Sequence, residues 1–266
     1  MPRHQRDVRG AAVPQWLEAG LWGFGSGCAL LLGAAFATLR RPSQRLIAMV
    51  MAFGSGVLIS AVAFDLMDEA YAQGGFDAAA AGFLAGALIY TAANIAISRR
   101  GAKHRKRSGY NPDESQTPAA GSGGLAIAVG ALLDGIPESI AIGVSLLDGT
   151  GVSLVMVAAV FLSNVPEGLS SAAGMRAAGR GPAYIFGVWG GIALASGLAA
   201  LLGNLLLAGA DPNVLAATTA VAAGGILAML VDTMIPEATE ETPEFAGLIA
   251  VTGFLFAFVL SKLGGG

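Results

Sequence analysis

The sequence predicts an all-α membrane protein with eight transmembrane helices, and its composition and apolar pattern carry that prediction. Of the 266 residues, 55% are apolar and only 12% are charged, whereas soluble domains carry about 25% charged residues. Apolar stretches of about 20 residues, the length that crosses a bilayer, recur eight times. They lie near residues 15–39, 46–70, 77–98, 122–147, 152–176, 183–209, 213–238 and 244–263. One transmembrane domain is therefore expected over residues 1–266.

The distribution of basic residues predicts the orientation of these spans. Eleven lysines and arginines fall in the connections 1–2, 3–4, 5–6 and 7–8, and four fall on the opposite side. Cytoplasmic loops carry the excess of Lys and Arg in multi-pass proteins. We therefore expect both termini outside, a cytoplasmic linker at residues 99–121, and residence in the cytoplasmic membrane. The basic run of the linker indicates topology and attraction to anionic lipid rather than nucleic-acid binding.

Two segments of the sequence resemble each other. Gly54–Ala70 reads GSGVLISAVAFDLMDEA and Ala223–Ala238 reads AGGILAMLVDTMIPEA. In the predicted topology these segments run in opposite directions, which favours inverted repeats of spans 1–3 and 6–8 around spans 4 and 5. Such a 3+2+3 arrangement with inverted repeats is typical of transporters and places the site near the bilayer midplane.

Two short motifs place a proline and a glutamate side by side in consecutive spans. DGIPES contains Asp134 and Glu138, which share a helix face because they are four residues apart. SNVPEG repeats the arrangement with Ser163 and Glu167, beside Asn164. Each proline leaves one backbone carbonyl without its helical donor. Since a charge at bilayer depth costs roughly 2.5–3.5 kcal/mol, we interpret the motifs as an oxygen-rich site for a dehydrated cation.

Further acidic residues lie near the ends of spans two and seven. Asp65 and Asp232 are the deeper ones, and we expect them to bind the metal at the entrance and exit of one path. An ordinary helix-end role is the alternative for both. Asp68, Glu69 and Glu237 are expected to be solvated charges at helix ends.

The sequence argues against several other kinds of site. Cys28 is the only cysteine, and His4 and His104 lie outside the spans, so an embedded His or Cys metal site is not expected. Ser163 and its neighbours have no embedded basic partner, which argues against a serine hydrolase. We expect no enzymatic activity and no resident cofactor.

The two motifs resemble the HNxPEG and (H/Q)(N/D)xPEG motifs of helices four and five in the ZIP (ZRT/IRT-like) family of divalent metal transporters. The resemblance extends to the eight spans, the external termini and the basic linker. It implies divalent metal transport, typically of zinc, through a binuclear site halfway across the membrane, and a homodimer. By position it implies Glu138 and Glu167 as metal ligands, Asp134 in place of a histidine, and Ser163 and Asn164 as the polar pair of helix five.

The chain departs from the family pattern at the second metal position. Gly135 replaces an asparagine, and in span six Ser196 and Gly197 stand where the family has Glu-Pro, so this position is expected to be absent or weak. The remaining ligands are all oxygen atoms, which favour harder ions such as Mn²⁺ or Fe²⁺ over Zn²⁺. The alternative to transport is a membrane sensor or assembly protein on the same scaffold.

Overall fold

The structure, a computed structural model, describes residues 13–99, 123–147, 151–240 and 244–264. Every regular element in these ranges is helical, while most of the predicted linker, residues 100–121, lies outside them. The α-helices are α1 (Gln15–Arg40), α2 (Gln44–Ala61), α3 (Met67–Ile97), α4 (Gly123–Ser145), α5 (Leu154–Ala177), α6 (Pro182–Leu207), α7 (Pro212–Met229), α8 (Ile235–Glu240) and α9 (Ala246–Gly264). Two five-residue π-helical segments, π1 (Val62–Leu66) and π2 (Leu230–Met234), follow α2 and α7 directly.

The chain forms an all-α, multi-pass membrane protein. Within the described ranges, six helical stretches are long and apolar enough to cross a bilayer. They are Gln15–Arg40, Gln44–Ile97, Leu154–Ala177, Pro182–Leu207, Pro212–Glu240 and Ala246–Leu263. Large apolar side chains such as Leu39, Leu88 and Leu206 are exposed, whereas several carboxylates are buried. This distribution is typical of a protein surrounded by lipid, in which apolar side chains face outwards.

The stretch Gln44–Ile97 is interrupted at Gly75. This residue has φ 70° and ψ −173°, a backbone conformation that glycine adopts without steric cost. The stretch has 54 residues, and as one straight helix it would extend about 80 Å. A bilayer core is only about 30 Å thick, so the two helical segments that meet at Gly75 do not cross it as one rod.

Close backbone contacts at glycine hold the helices together. α2 lies along α9, α3 lies along α7, and α1 packs against α5 and α6. Between α2 and α9, a Cβ atom on Gly56 would stand 1.8 Å from the Ala250 carbonyl oxygen, and one on Gly253 would stand 2.1 Å from the Phe53 carbonyl oxygen. Small residues let helix backbones approach in this way within membranes. The α2–α9 contact therefore leaves no room for a larger side chain at either glycine.

We predict that Gly56→Ala destabilises the protein, because the added methyl group would overlap the Ala250 carbonyl and push α2 away from α9. Overpacking of this kind costs about 1–3 kcal/mol and outweighs the gain in helix propensity of about 1 kcal/mol. Thermal unfolding in detergent micelles should show a lowered midpoint. Gly190→Ala in α6 is the control, because a Cβ atom there meets nothing within 4 Å. Equal midpoints for the two variants would contradict the proposed close contact.

Candidate functional site

Helix α4 places two carboxylates in the protein interior. Asp134 and Glu138 are each 1% exposed and lie one helical turn apart. Tyr90 of α3, also buried, donates a hydrogen bond from its hydroxyl to Asp134 Oδ1 over 2.7 Å. The Ser139 hydroxyl donates to the Gly135 carbonyl of its own helix at 2.8 Å. The Asp134 carboxylate is thus fixed from a neighbouring helix, whereas Ser139 is satisfied locally.

Helix α5 buries the second motif. The Ser163 hydroxyl donates to the Val160 carbonyl at 2.9 Å, and Asn164 Nδ2 donates to the Ser26 carbonyl of α1 at 3.0 Å. Glu167, one turn further on, is 5% exposed. Because this hydrogen bond uses the amide nitrogen of Asn164, the amide oxygen remains able to act as a ligand to a cation.

The proline of each motif faces a glycine on a neighbouring helix. A Cβ atom on Gly54 of α2 would lie 2.7 Å from Pro166 Cγ, and one on Gly225 of α7 would lie 3.5 Å from Pro137 Cγ. The missing side chains let α2 and α7 approach the two proline rings. In each motif, the proline that precedes the glutamate is therefore packed against a neighbouring helix.

The acidic residues of the two motifs do not form a group of three within the described ranges. α4 packs chiefly against α6 and α7, α5 packs chiefly against α1 and α2, and the two helices touch each other only over a short stretch. Within the described ranges, no group of three or more His, Cys, Asp or Glu side chains is arranged to hold a metal ion. Asp134, Glu138 and Glu167 are thus buried oxygen groups on adjoining helices rather than an assembled three-acid cage.

Asp65 and Asp232 occupy corresponding π-helical segments. Asp65 lies half-buried in π1 and accepts a hydrogen bond from the Ser261 hydroxyl of α9 at 2.9 Å. Asp232 lies exposed in π2 and accepts one from Asn94 Nδ2 of α3 at 3.0 Å. π-helical turns occur frequently at functional sites. Each acid links its segment to a helix that lies alongside it.

The expectation that Glu237 is a solvated helix-end charge is wrong. Glu237 is 5% exposed, and its Oε1 accepts a hydrogen bond from the Ser170 hydroxyl of α5 at 2.9 Å. The short helix α8 packs against α2, so the carboxyl group at this end of the span is covered by neighbouring helices instead of facing water. Ser170 follows Glu167 by three residues and therefore shares its helix face. In the sequence Glu237 also follows a proline, Pro236, but so does the exposed Glu244, so this pair alone does not mark a buried glutamate.

Tyr90 is a further buried residue beside the motifs that the sequence does not single out. It lies in an apolar helix without a motif around it, and only the structure brings its hydroxyl to Asp134. A carboxylate that binds metal is commonly oriented by such a hydrogen bond from a neighbouring side chain. Tyr90 is therefore placed to act as a positioning residue.

Comparisons with known proteins do not assign a family or a function to this chain. No model of a known protein family matches the chain, and no curated protein matches it. The resemblance to the ZIP family therefore remains a prediction from the two Pro-Glu motifs.

Proposed function

We propose that this protein transports divalent metal cations across the cytoplasmic membrane through a site on α4 and α5. The observation that carries the proposal is the burial of Asp134, Glu138 and Glu167 within an apolar, multi-pass helical protein. Ionisable side chains inside membrane segments are costly and typically mark ion pathways. A passing cation would compensate the negative charge of these three groups.

The proposed architecture has eight spans. The six apolar stretches support it, because Gln44–Ile97 supplies two spans when it is divided at Gly75. Helix α4, with 23 residues, is the fourth span in chain order and completes the count of eight.

The proposed inverted repeats are supported by matched contacts. π1 follows α2 and contains Asp65, and π2 follows α7 and contains Asp232. The close contact of Gly56 with α9 has its counterpart at Gly224, where a Cβ atom would lie 1.9 Å from the Phe83 carbonyl oxygen of α3. A two-fold axis in the membrane plane would exchange the pair α2 and α9 with the pair α7 and α3. It would also exchange α4 with α5. Both Pro-Glu steps would then lie near that axis.

The proposed ligands are all oxygen atoms. Glu138 and Glu167 supply the charge, with Asp134, the Asn164 amide oxygen and Ser163 at the edge of the site. Carboxylate and amide oxygens favour hard ions such as Mn²⁺ or Fe²⁺, whereas imidazole ligands suit Zn²⁺. Zn²⁺ is therefore expected to compete less well here than in a histidine-containing site.

A membrane sensor or assembly protein that does not transport metal is the second candidate. The missing ligands of the second metal position, where Gly135 and Ser196 stand, favour it. A folded parent protein that takes up none of Mn²⁺, Fe²⁺ and Zn²⁺ into proteoliposomes would support this candidate over transport.

We predict that Glu138→Gln and Glu167→Gln each abolish metal uptake into proteoliposomes. Glutamine preserves the size of the side chain but removes the charge that compensates the cation. Glu18→Gln in α1 is the control, because it removes a carboxylate that is hydrogen-bonded to Trp22, away from both motifs. Parent-like uptake by both motif variants, with intact folding, would refute the proposed site.

We predict that Tyr90→Phe raises the KM for metal about tenfold, as the loss of a group that orients a ligand does, and changes the maximal rate much less. The phenylalanine keeps the buried ring but removes the donor to Asp134. Tyr184→Phe is the control, because the Tyr184 hydroxyl makes no hydrogen bond to a described residue. An unchanged KM in Tyr90→Phe would show that the hydroxyl does not orient Asp134.

We predict that the connection after α5 faces the cytoplasm and that after α6 faces outwards. Gly181→Cys and Ala208→Cys, each in a Cys28→Ser background, place single thiols at these exposed positions. An impermeant thiol reagent should label Ala208→Cys in intact cells and Gly181→Cys only after permeabilisation. Labelling of Gly181→Cys in intact cells would overturn the orientation.

A further inference from the structure

A small cavity lies where the ends of α1 and α5 meet the start of α2. Its volume is about 250 Å³, and its charged lining residues are Arg41 and Arg176. Ala37 and Ala173 are among the apolar residues that complete the wall. The cavity therefore combines two guanidinium groups with an apolar surface at one end of the membrane-spanning helices.

Arg176 is held in position at the rim of this cavity. Its Nη1 atom donates to the Ala37 carbonyl at 2.7 Å and also lies 3.4 Å from the Thr38 carbonyl. These two carbonyls lie in the last turn of α1, and a basic side chain interacts favourably with the carbonyls at a helix C-terminus. Since both contacts use one nitrogen, the other N–H groups of the guanidinium remain available to an anion.

Arg41 supplies the second positive charge from an unusual backbone conformation. It ends α1 with φ 49° and ψ 62°, and it is the only residue other than glycine with positive φ in the described ranges. That position at a helix end is usually glycine. This backbone conformation places the long cationic side chain of Arg41 against the cavity.

Two further arginines lie next to the cavity in the chain. Arg40 and Arg45 flank the α1–α2 connection, and neither they nor Arg41 and Arg176 form an ion pair with a described residue. Arginine binds phosphate through two parallel N–H groups. Basic cavities between transmembrane helices at the cytoplasmic surface are typical sites for anionic lipid headgroups.

We propose that this cavity binds the phosphate of an anionic phospholipid headgroup. The lipid source is favoured over free phosphate, because the cavity lies at the ends of membrane-spanning helices and its apolar wall accommodates the glycerol backbone next to the phosphate. This site is separate from the Pro-Glu motifs, and its test does not depend on metal transport.

The test measures binding of short-chain phosphatidylglycerol to the full chain in detergent, with phosphatidylcholine and glycerol phosphate as comparison ligands. Phosphatidylglycerol should bind, while the other two should not compete with it at the same concentration. Arg41→Gln should weaken binding about fivefold, since one basic residue near the surface contributes about that factor.

Arg180→Gln is the matched control. It removes the same charge at the same end of α5, but Arg180 stacks over the Tyr184 ring at 4.9 Å and does not line the cavity. Affinity within twofold of the parent is expected. Equal weakening by both variants, or equal binding of phosphatidylcholine, would refute a specific headgroup site. Equal binding of glycerol phosphate would show a site for free phosphate and would refute the lipid assignment.

Discussion

The requirement to stabilise carboxylates inside an apolar helix bundle constrains the rest of this structure. A buried charge without polar contacts is strongly disfavoured, and lipid offers none. Asp134 accepts a hydrogen bond from Tyr90, and Glu237 accepts one from Ser170. Both bonds join residues from different helices. The relative positions of α3 and α4, and of α5 and α8, are therefore coupled to the carboxyl groups that lie between them.

Close helix packing makes those contacts attainable. Where glycine removes the side chain, backbones approach until a Cβ atom would overlap a carbonyl of the neighbour, as at Gly168 against Leu30. Amide side chains then reach across the narrow gaps, and Asn204 donates to the Gly143 carbonyl of α4 at 3.0 Å. Such interhelical hydrogen bonds contribute about 0.6 kcal/mol each on average. The bundle thus depends on many short contacts of backbone and small polar groups.

Much of the helix arrangement follows from the sequence, because apolar length and turn residues mark the ends of membrane helices directly. The predicted span at 183–209 lies within two residues of α6, Pro182–Leu207. The two π-helical segments could not be predicted, since a wider turn leaves no compositional signal. The packing of α8 against α2 and α5 buries Glu237 against its expected exposure, while Asp232, expected to be deeper, is exposed. The hydrogen-bond partners of the motif residues depend on which helices pack against each other. The local sequence does not encode that packing.

The two motif helices differ in the side chains that lie beside their acidic residues. On α4, the partner of Asp134 is the neutral hydroxyl of Tyr90. On α5, the face of Glu167 continues to Ser170, which contacts a further carboxylate at Glu237. A cation that left Glu167 along this face would meet a second carboxyl group within a turn or two. In the proposed topology α8 lies towards the cytoplasm, so the Glu237 carboxylate would attract a cation on the cytoplasmic side of the proposed site, whereas the side chain that donates to Asp134 on α4 is a hydroxyl.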